Sequence, residues 1–211
     1  EWRQITTNTA NSLGVDRPWD VTPTPGTRYA IIAWSAANWL IKDNTLQDHA
    51  RGIQFYNASS LNIAIVGNKL LNNGAIWLRA NQDLTTAHMP QFDVIYNIQV
   101  LNNTLINTRV TADKSQSQGA FIAVQPGLVK PSRIFGTLAL GIEIKGNLIK
   151  GISHALYSDD YQDGYYNNTY IFQPSRLFYT EGIPAILGTI FQNNSCLNCP
   201  SVFNLNGGAY H

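Results

Sequence analysis

The sequence predicts an all-β fold: a parallel β-solenoid, in which one chain winds into stacked rungs with loops inserted between them. Three observations predict it. A short unit recurs along the chain. Its strands alternate apolar and polar residues. An asparagine closes the same segment of every copy, and Asn supplies 22 of the 211 residues.

The repeat is anchored on Asn44, Asn68, Asn103, Asn147 and Asn194. Three residues before them stand Ile41, Ile65, Val100, Ile144 and Phe191. Five before stand Trp39, Ile63, Ile98, Ile142 and Thr189, and two after stand Leu46, Leu70, Leu105, Ile149 and Cys196. The shared pattern, apolar-x-apolar-x-x-Asn-x-apolar, opens with the period-2 alternation of a short strand. Asn then suits the corner, because it tolerates left-handed backbone and can bond its own chain. Corners stacked in successive units would let the amides bond one another in a ladder.

A further strand follows each corner. It is read at Gly52–Phe55, Gly74–Leu78, Gly119–Ile122, Ala155–Tyr157 and Ser201–Leu205. Tyr29–Ala33 lies as far before Asn44 as Ile53–Phe55 lies before Asn68, so an earlier, partial unit is expected there. The anchor spacings are 24, 35, 44 and 47 residues, as a constant rung with growing insertions would give. The insertions fall at 81–93, 109–118, 127–136 and 159–183, in stretches rich in Pro, Gly, Ser, Asp and Tyr. Insertions in repeat proteins map to loops on one face, often the binding face. About six rungs are expected, stacked at ~4.8 Å into a rod ~25 Å long. Residues 1–27 read as an N-terminal extension and 28–211 as the solenoid domain.

Composition excludes several alternatives. Charged residues make up 13%, aromatics 11% and the net charge is +1. Disordered chains are poor in aromatics and rich in charge. No apolar run reaches the ~18 residues of a membrane helix, so no membrane span is expected. The near-neutral charge leaves no footprint for nucleic acid. The chain starts without Met or a signal-peptide pattern, which reads as a mature product or a fragment of a longer solenoid. Cys196 and Cys199 form a CxxC among polar turn residues. Two small structural residues are the leading reading, with a local disulfide and a metal or redox pair as alternatives.

At this point the chain resembles a known group. Asn44–Ile53 and Asn68–Ile76 look like the repeats of right-handed parallel β-helix proteins, the pectate-lyase-like superfamily with its carbohydrate-binding and sugar-hydrolase repeats. The resemblance covers roughly residues 28–206. It implies right-handed winding, an extracellular, cell-surface or periplasmic setting, and a polysaccharide or oligosaccharide partner. Members include polysaccharide lyases, glycoside hydrolases and phage tailspikes, and also non-enzymatic adhesins.

Function in such a fold would lie on the outer face of one sheet. In Ala75–Ala80, burying an unpaired Arg would cost several kcal/mol. Ile76 and Leu78 therefore point in, and Trp77 and Arg79 point out. The same register turns Gln54, Tyr56, Gln125, Tyr157, Asp159, Asn204 and Asn206 outward. Aromatics beside hydrogen-bonding groups suit a sugar ring. Tyr56, Trp77, Arg79, Gln125 and Tyr157 are the expected substrate-binding residues.

Asp159, Asp160 and Asp163, with His154 nearby, are the expected catalytic group. Two chemistries could use them. The three carboxylates could hold Ca²⁺, which takes hard oxygen ligands. The resemblance to calcium-dependent uronate lyases then implies that the metal neutralises a substrate carboxylate before a base removes the adjacent proton. Alternatively two carboxylates, drawn from this cluster or from Glu143, act as acid and base across a glycosidic bond. The rival to both is a binding or structural module that grips glycan without cleaving it. A homotrimer, or further rungs of a longer chain, would cover exposed strand faces.

Overall fold

The computed structural model describes residues 3–27, 31–49, 52–56, 58–73, 75–79, 82–83, 91–108, 120, 122–125, 139–151, 164–166, 169–171, 178–180, 186–199 and 203–205. The chain divides into two compact units, Glu1–Ile31 and Ile32–His211. In the first, β1 (Ile5–Asn8) pairs antiparallel with β2 (Leu13–Val15). Thr9 and Ser12 close the turn, hydroxyl to hydroxyl at 2.7 Å. Arg3 holds the segment after β2. It donates to the Pro18 carbonyl at 3.0 Å, pairs with Asp20 at 3.2 Å and lies 5.0 Å from the centre of the Trp19 ring.

The second unit repeats a three-strand rung. The first contains β3 (Ala36–Lys42), β4 (Thr45–Gln47) and β5 (Ile53–Tyr56). The second contains β6 (Ser60–Val66), β7 (Lys69–Leu71) and β8 (Ile76–Arg79), followed by the small antiparallel pair β9 (Gln82–Asp83) and β10 (Gln91–Phe92). The third contains β11 (Ile95–Leu101), β12 (Thr104–Ile106) and β13 (Ile122–Gln125). The fourth contains β14 (Ala139–Lys145) and β15 (Leu148–Lys150). The hairpin β16 (Gly164–Tyr166) and β17 (Thr169–Ile171) intervenes before its last strand, β18 (Phe178–Thr180). The fifth contains β19 (Ile186–Gln192), β20 (Ser195–Leu197) and β21 (Phe203–Leu205). Equivalent strands pair in parallel. The three resulting five-stranded sheets run β3-β6-β11-β14-β19, β4-β7-β12-β15-β20 and β5-β8-β13-β18-β21. The fold is a parallel β-solenoid.

The core fills the coil. Ile63, Ile98 and Ile142 stack from the first sheet, Leu70, Leu105 and Ile149 from the second, and Ile76, Ile122, Leu78 and Val124 from the third. All are 0–1% exposed. Each such aliphatic side chain contributes about 1.5–3 kcal/mol by leaving water.

The anchor asparagines form a buried spine. Asn68, Asn103 and Asn147 are 0–1% exposed. Asn68 Oδ1 accepts from the backbone N–H and Nδ2 of Asn44, at 3.1 and 2.9 Å. Asn68 Nδ2 donates to the Ile41 carbonyl at 2.9 Å and to Asn103 Oδ1 at 3.0 Å. Asn103 and Asn147 repeat the pattern, each giving one Nδ2 bond back to the preceding rung and one forward. A primary amide has two donor hydrogens and two acceptor lone pairs, and here all four are used. That is how so polar a group resides inside an apolar coil.

The left-handed residue at this corner is not the ladder Asn but the residue before it. Asp43, Gly67, Asn102, Gly146 and Asn193 all have φ between 54° and 66°. Where glycine occurs it leaves room for the neighbouring rung: a Cβ on Gly67 would press on Asp43 Oδ1, and one on Gly146 on Asn102 Oδ1. A second left-handed column lies at the third position of each first-sheet strand, Asn38, Asn62, Asn97, Gly141 and Gly188. A flat strand puts residues three apart on opposite faces. The left-handed residue resets the alternation, so Ser60 and Ile63, or Ile95 and Ile98, both face the core. On the outside, Asn62 Nδ2 donates to Asn38 Oδ1 at 2.9 Å and Asn97 Nδ2 to Asn62 Oδ1 at 2.7 Å.

Three sequence expectations are corrected. The third-sheet strand of the fourth rung is β18, Phe178–Thr180, which pairs with both β13 and β21. The insertion therefore precedes that strand. Ala155–Tyr157, read as the strand, lies outside the described residues. Cys196 and Cys199 are not two free structural residues but a disulfide, with Cα atoms 6.0 Å apart. Cys196 continues the inward column of Leu70, Leu105 and Ile149, and the turn brings Cys199 back to it. Ile31–Ala33, expected within an earlier unit, form no strand.

Candidate functional site

The outer face of the third sheet carries the best-defined polar and aromatic group among the described residues. Its strands alternate as expected. Ile53 and Phe55, Ile76 and Leu78, and Ile122 and Val124 belong to the core. The residues between them are turned to the other side. Register aligns Gln54 with Trp77, Ala123, Tyr179 and Asn204, and aligns Tyr56 with Arg79 and Gln125.

Three side chains of this face interlock. Tyr56 is 49% exposed. The Arg79 guanidinium lies 4.8 Å from the centre of the Tyr56 ring, and its Nη1 donates to the Tyr56 hydroxyl at 3.0 Å. The Trp77 ring meets the Tyr56 ring edge-on, 6.5 Å between centres at 87°. Trp77 is only 4% exposed and groups with Ala75 and Ala123. Expected as an open stacking platform, it is instead the floor beneath Tyr56. Tyr56 is the ring a ligand can reach.

Donors outnumber acceptors here. Arg79 has five N–H donors, and Tyr56 takes one of them. Gln54, in the Trp77 column, has a buried Nε2 with no hydrogen-bond partner. An unmatched buried donor costs about 1–3 kcal/mol. Sequence reading turned Gln54 outward but did not count it in the site, because its unmatched amide is visible only in three dimensions.

A second polar group lies on the first sheet. Glu143 accepts from Gln99 Nε2 at 3.0 Å and pairs with Lys145 on its own strand. The Lys145 bond, with the Gln99 bond adding to it, holds the Glu143 carboxyl below the ordinary glutamate value. Burial opposes this, by less than the Lys145 bond alone. A base that is to take up a proton near neutrality needs its value raised, so this carboxylate is tuned as an ion-pair partner. Sequence reading considered Glu143 as an acid–base partner. It missed Gln99 and Lys145, which one rung of register and one strand alternation would have supplied.

Arg79, Trp77 and Tyr56 are thus brought together, and backbone register places Gln125 beside Arg79. The remaining expected residues, Asp159, Asp160, Asp163, His154 and Tyr157, lie outside the described residues. Among the described residues no group of three or more His, Cys, Asp or Glu gathers to hold a metal. No helix among them is long and apolar enough to cross a membrane.

Fold and site together define a class: a parallel β-solenoid with a buried asparagine spine and a donor-rich aromatic face. Comparison with known proteins finds no matching family model, no matching curated protein and no matching solved structure.

Proposed function

We propose that this solenoid grips an extended polysaccharide along the outer face of its third sheet. The observation that carries the reading is the side-by-side placement of exposed Tyr56 and the Arg79 guanidinium on adjacent strands. A sugar presents an apolar C–H face to an aromatic ring and hydroxyl or carboxylate oxygens to donors. Strands ~4.8 Å apart repeat such contacts along a polymer. The disulfide supports an oxidising, extracellular setting.

The enzymatic form of this reading adds Asp159, Asp160, Asp163 and His154, as acid–base groups or, with Ca²⁺, as the centre of a lyase. Chain topology favours it: the acidic run belongs to the segment that feeds β18, the strand next to β13 in the same sheet. The test is a panel of acidic and neutral polysaccharides, with Ca²⁺ or chelator. Binding, unsaturated-uronate absorbance and new reducing ends are read in parallel. Binding that Tyr56→Ala and Arg79→Ala each weaken about tenfold or more supports the groove, by the usual size of a stacking or charge-assisted contact. Turnover lost in Asp159→Asn and Asp160→Asn with binding retained supports the enzyme. Binding across the panel that neither groove substitution alters would reject the third-sheet face.

A further inference from the structure

The outer face of the first sheet is built unlike that of the third. A sheet that meets water on one side alternates apolar-in with polar-out. Here the second column of the strands reads Ala37, Leu61, Tyr96, Leu140 and Leu187, and the fifth reads Leu40, Ala64, Gln99, Glu143 and Ile190. Leu40, Leu140 and Ile190 are 65%, 37% and 45% exposed. Exposed apolar area gathered on one face marks a protein contact. The charges there are matched within the chain: Glu143 by Lys145 and Gln99, Lys42 by Asp43. Covering the face therefore strands no lone ion, the costly case of a buried charge. Trp34 rests on Tyr96, ring centres 5.9 Å apart, and bounds the face on the side where the strands begin.

The relief of the face selects the partner. Its third column is Asn38, Asn62, Asn97, Gly141 and Gly188, every member left-handed and exposed. Side chains project in the first three rungs and none in the other two. A Cβ on Gly141 or Gly188 would meet only backbone of the preceding rung, no nearer than 3.8 and 3.7 Å, so no cross-rung side chain fills that space. The column is half ridge and half trough about the middle rung. The neighbouring columns follow suit. Ala37 and Ala64 are small where Leu187 and Glu143, equally far from the middle rung on its other side, are large. A face that is the negative of itself on reversal fits a second copy of itself.

We propose that two copies of the chain pack first sheet on first sheet, about a twofold axis along the middle strand, β11. That rotation keeps the strand direction and reverses the rung order. Asn38 and Asn62 of one copy then lie over Gly188 and Gly141 of the other, Leu40 meets Ile190, and Ala64 leaves room for Glu143. The contact is isologous, so it closes as a dimer. Five strands ~4.8 Å apart, each of seven residues at ~3.3 Å, offer ~550 Å² per copy. The ~1,100 Å² of the pair just clears the ~1,000 Å² that a specific interface needs. The inference is independent of the glycan reading, since it uses the first sheet and leaves the face of the third to its ligand.

The test is sedimentation of the full chain over a wide concentration range, with circular dichroism and urea unfolding to follow the fold. A monomer–dimer equilibrium in the micromolar range is expected of an interface this small. Gly141→Asn fills the trough with the residue that three other rungs already carry there at φ 53–60°, so the fold accepts it. It sets one amide against Asn62 of the other copy and should weaken association about tenfold or more, the scale of an overpacked contact. Adding Asn62→Gly moves the trough to the second rung, restores the match and should recover most of the lost affinity. Ile190→Lys, at a side chain already in water, should also weaken the dimer, and it serves if Gly141→Asn does not fold. A monomer at every concentration would overturn the proposal, and so would a trimer. So would a dimer that folded Gly141→Asn or Ile190→Lys leaves intact, or a loss that Asn62→Gly does not repair.

Discussion

Two columns of asparagine run along the same coil, and they do different work. The inner column, Asn44 to Asn194, lies in the core with every amide hydrogen and lone pair of its middle members spoken for. The outer column, Asn38, Asn62 and Asn97, makes a similar amide chain in contact with water. Chemistry and spacing are alike; burial differs. In the outer column Gly141 and Gly188 replace Asn without interrupting the fold, so the position demands a left-handed backbone and not an amide. In the inner column every rung keeps Asn. The cost of an unmatched polar group decides this. It is small in water and about 1–3 kcal/mol in the core.

The sharpest way to break the comparison is Asn103→Ala. It strands the Asn68 backbone N–H, the Asn68 Nδ2 hydrogen and the Ile65 carbonyl. Three buried orphans predict a loss of roughly 3–9 kcal/mol. That is a large share of the roughly 5–15 kcal/mol that holds a domain folded. Urea unfolding should show the midpoint collapsing, or no folded protein at all. A loss under about 1 kcal/mol, within the range of an ordinary surface change, would mean that water enters the spine and the inner column is no different from the outer.

The same contrast explains what the sequence disclosed. The inner column was legible because burial forces both the Asn and the apolar residues around it, so identity repeats. The outer column was not, because its requirement is conformational. Asn and Gly both satisfy it, and the pattern dissolves when read by residue type. The fourth third-sheet strand was misplaced for a third reason. Loop closure costs only about 0.6 kcal/mol per doubling of length, so nothing in the chain limits where a strand resumes after an insertion. Phe178–Thr180 carries the right alternation, and Ala155–Tyr157 carried it earlier. Within the site, the outward set of β5 and β8 followed from alternation. The covering of Trp77 and the unmatched amide of Gln54 depend on what packs over the face, and a single strand does not encode that.

A smaller effect sharpens the comparison from the outer side. Asn62 has φ 53°, which costs a residue with a Cβ about 1–2 kcal/mol unless its side chain compensates. Asn62→Ala should therefore lose about 1–2 kcal/mol. Asn62→Gly should stay within about 0.5 kcal/mol of wild type, since glycine adopts this geometry freely and two rungs already use it. Equal losses in the two variants would show that the exposed amide chain itself stabilises the fold, and would erase the distinction between the columns.

The smallest expected effect concerns Glu143, which reaches across rungs on the same outer face. Its value is lowered first by the Lys145 bond, so the ionised form is favoured in the folded chain. A lowered carboxyl contributes stability above the unfolded glutamate value and loses it as pH falls through the folded value. The advantage of wild type over Glu143→Gln should accordingly be present near pH 7 and vanish below the usual carboxylate range, and ~1 M salt should shrink it by screening the exposed pair. Chemical denaturation of both proteins along a pH series reads it directly. An advantage that survived acid and salt alike would show that the charge of Glu143 is not its source, and would reject the ion-pair account.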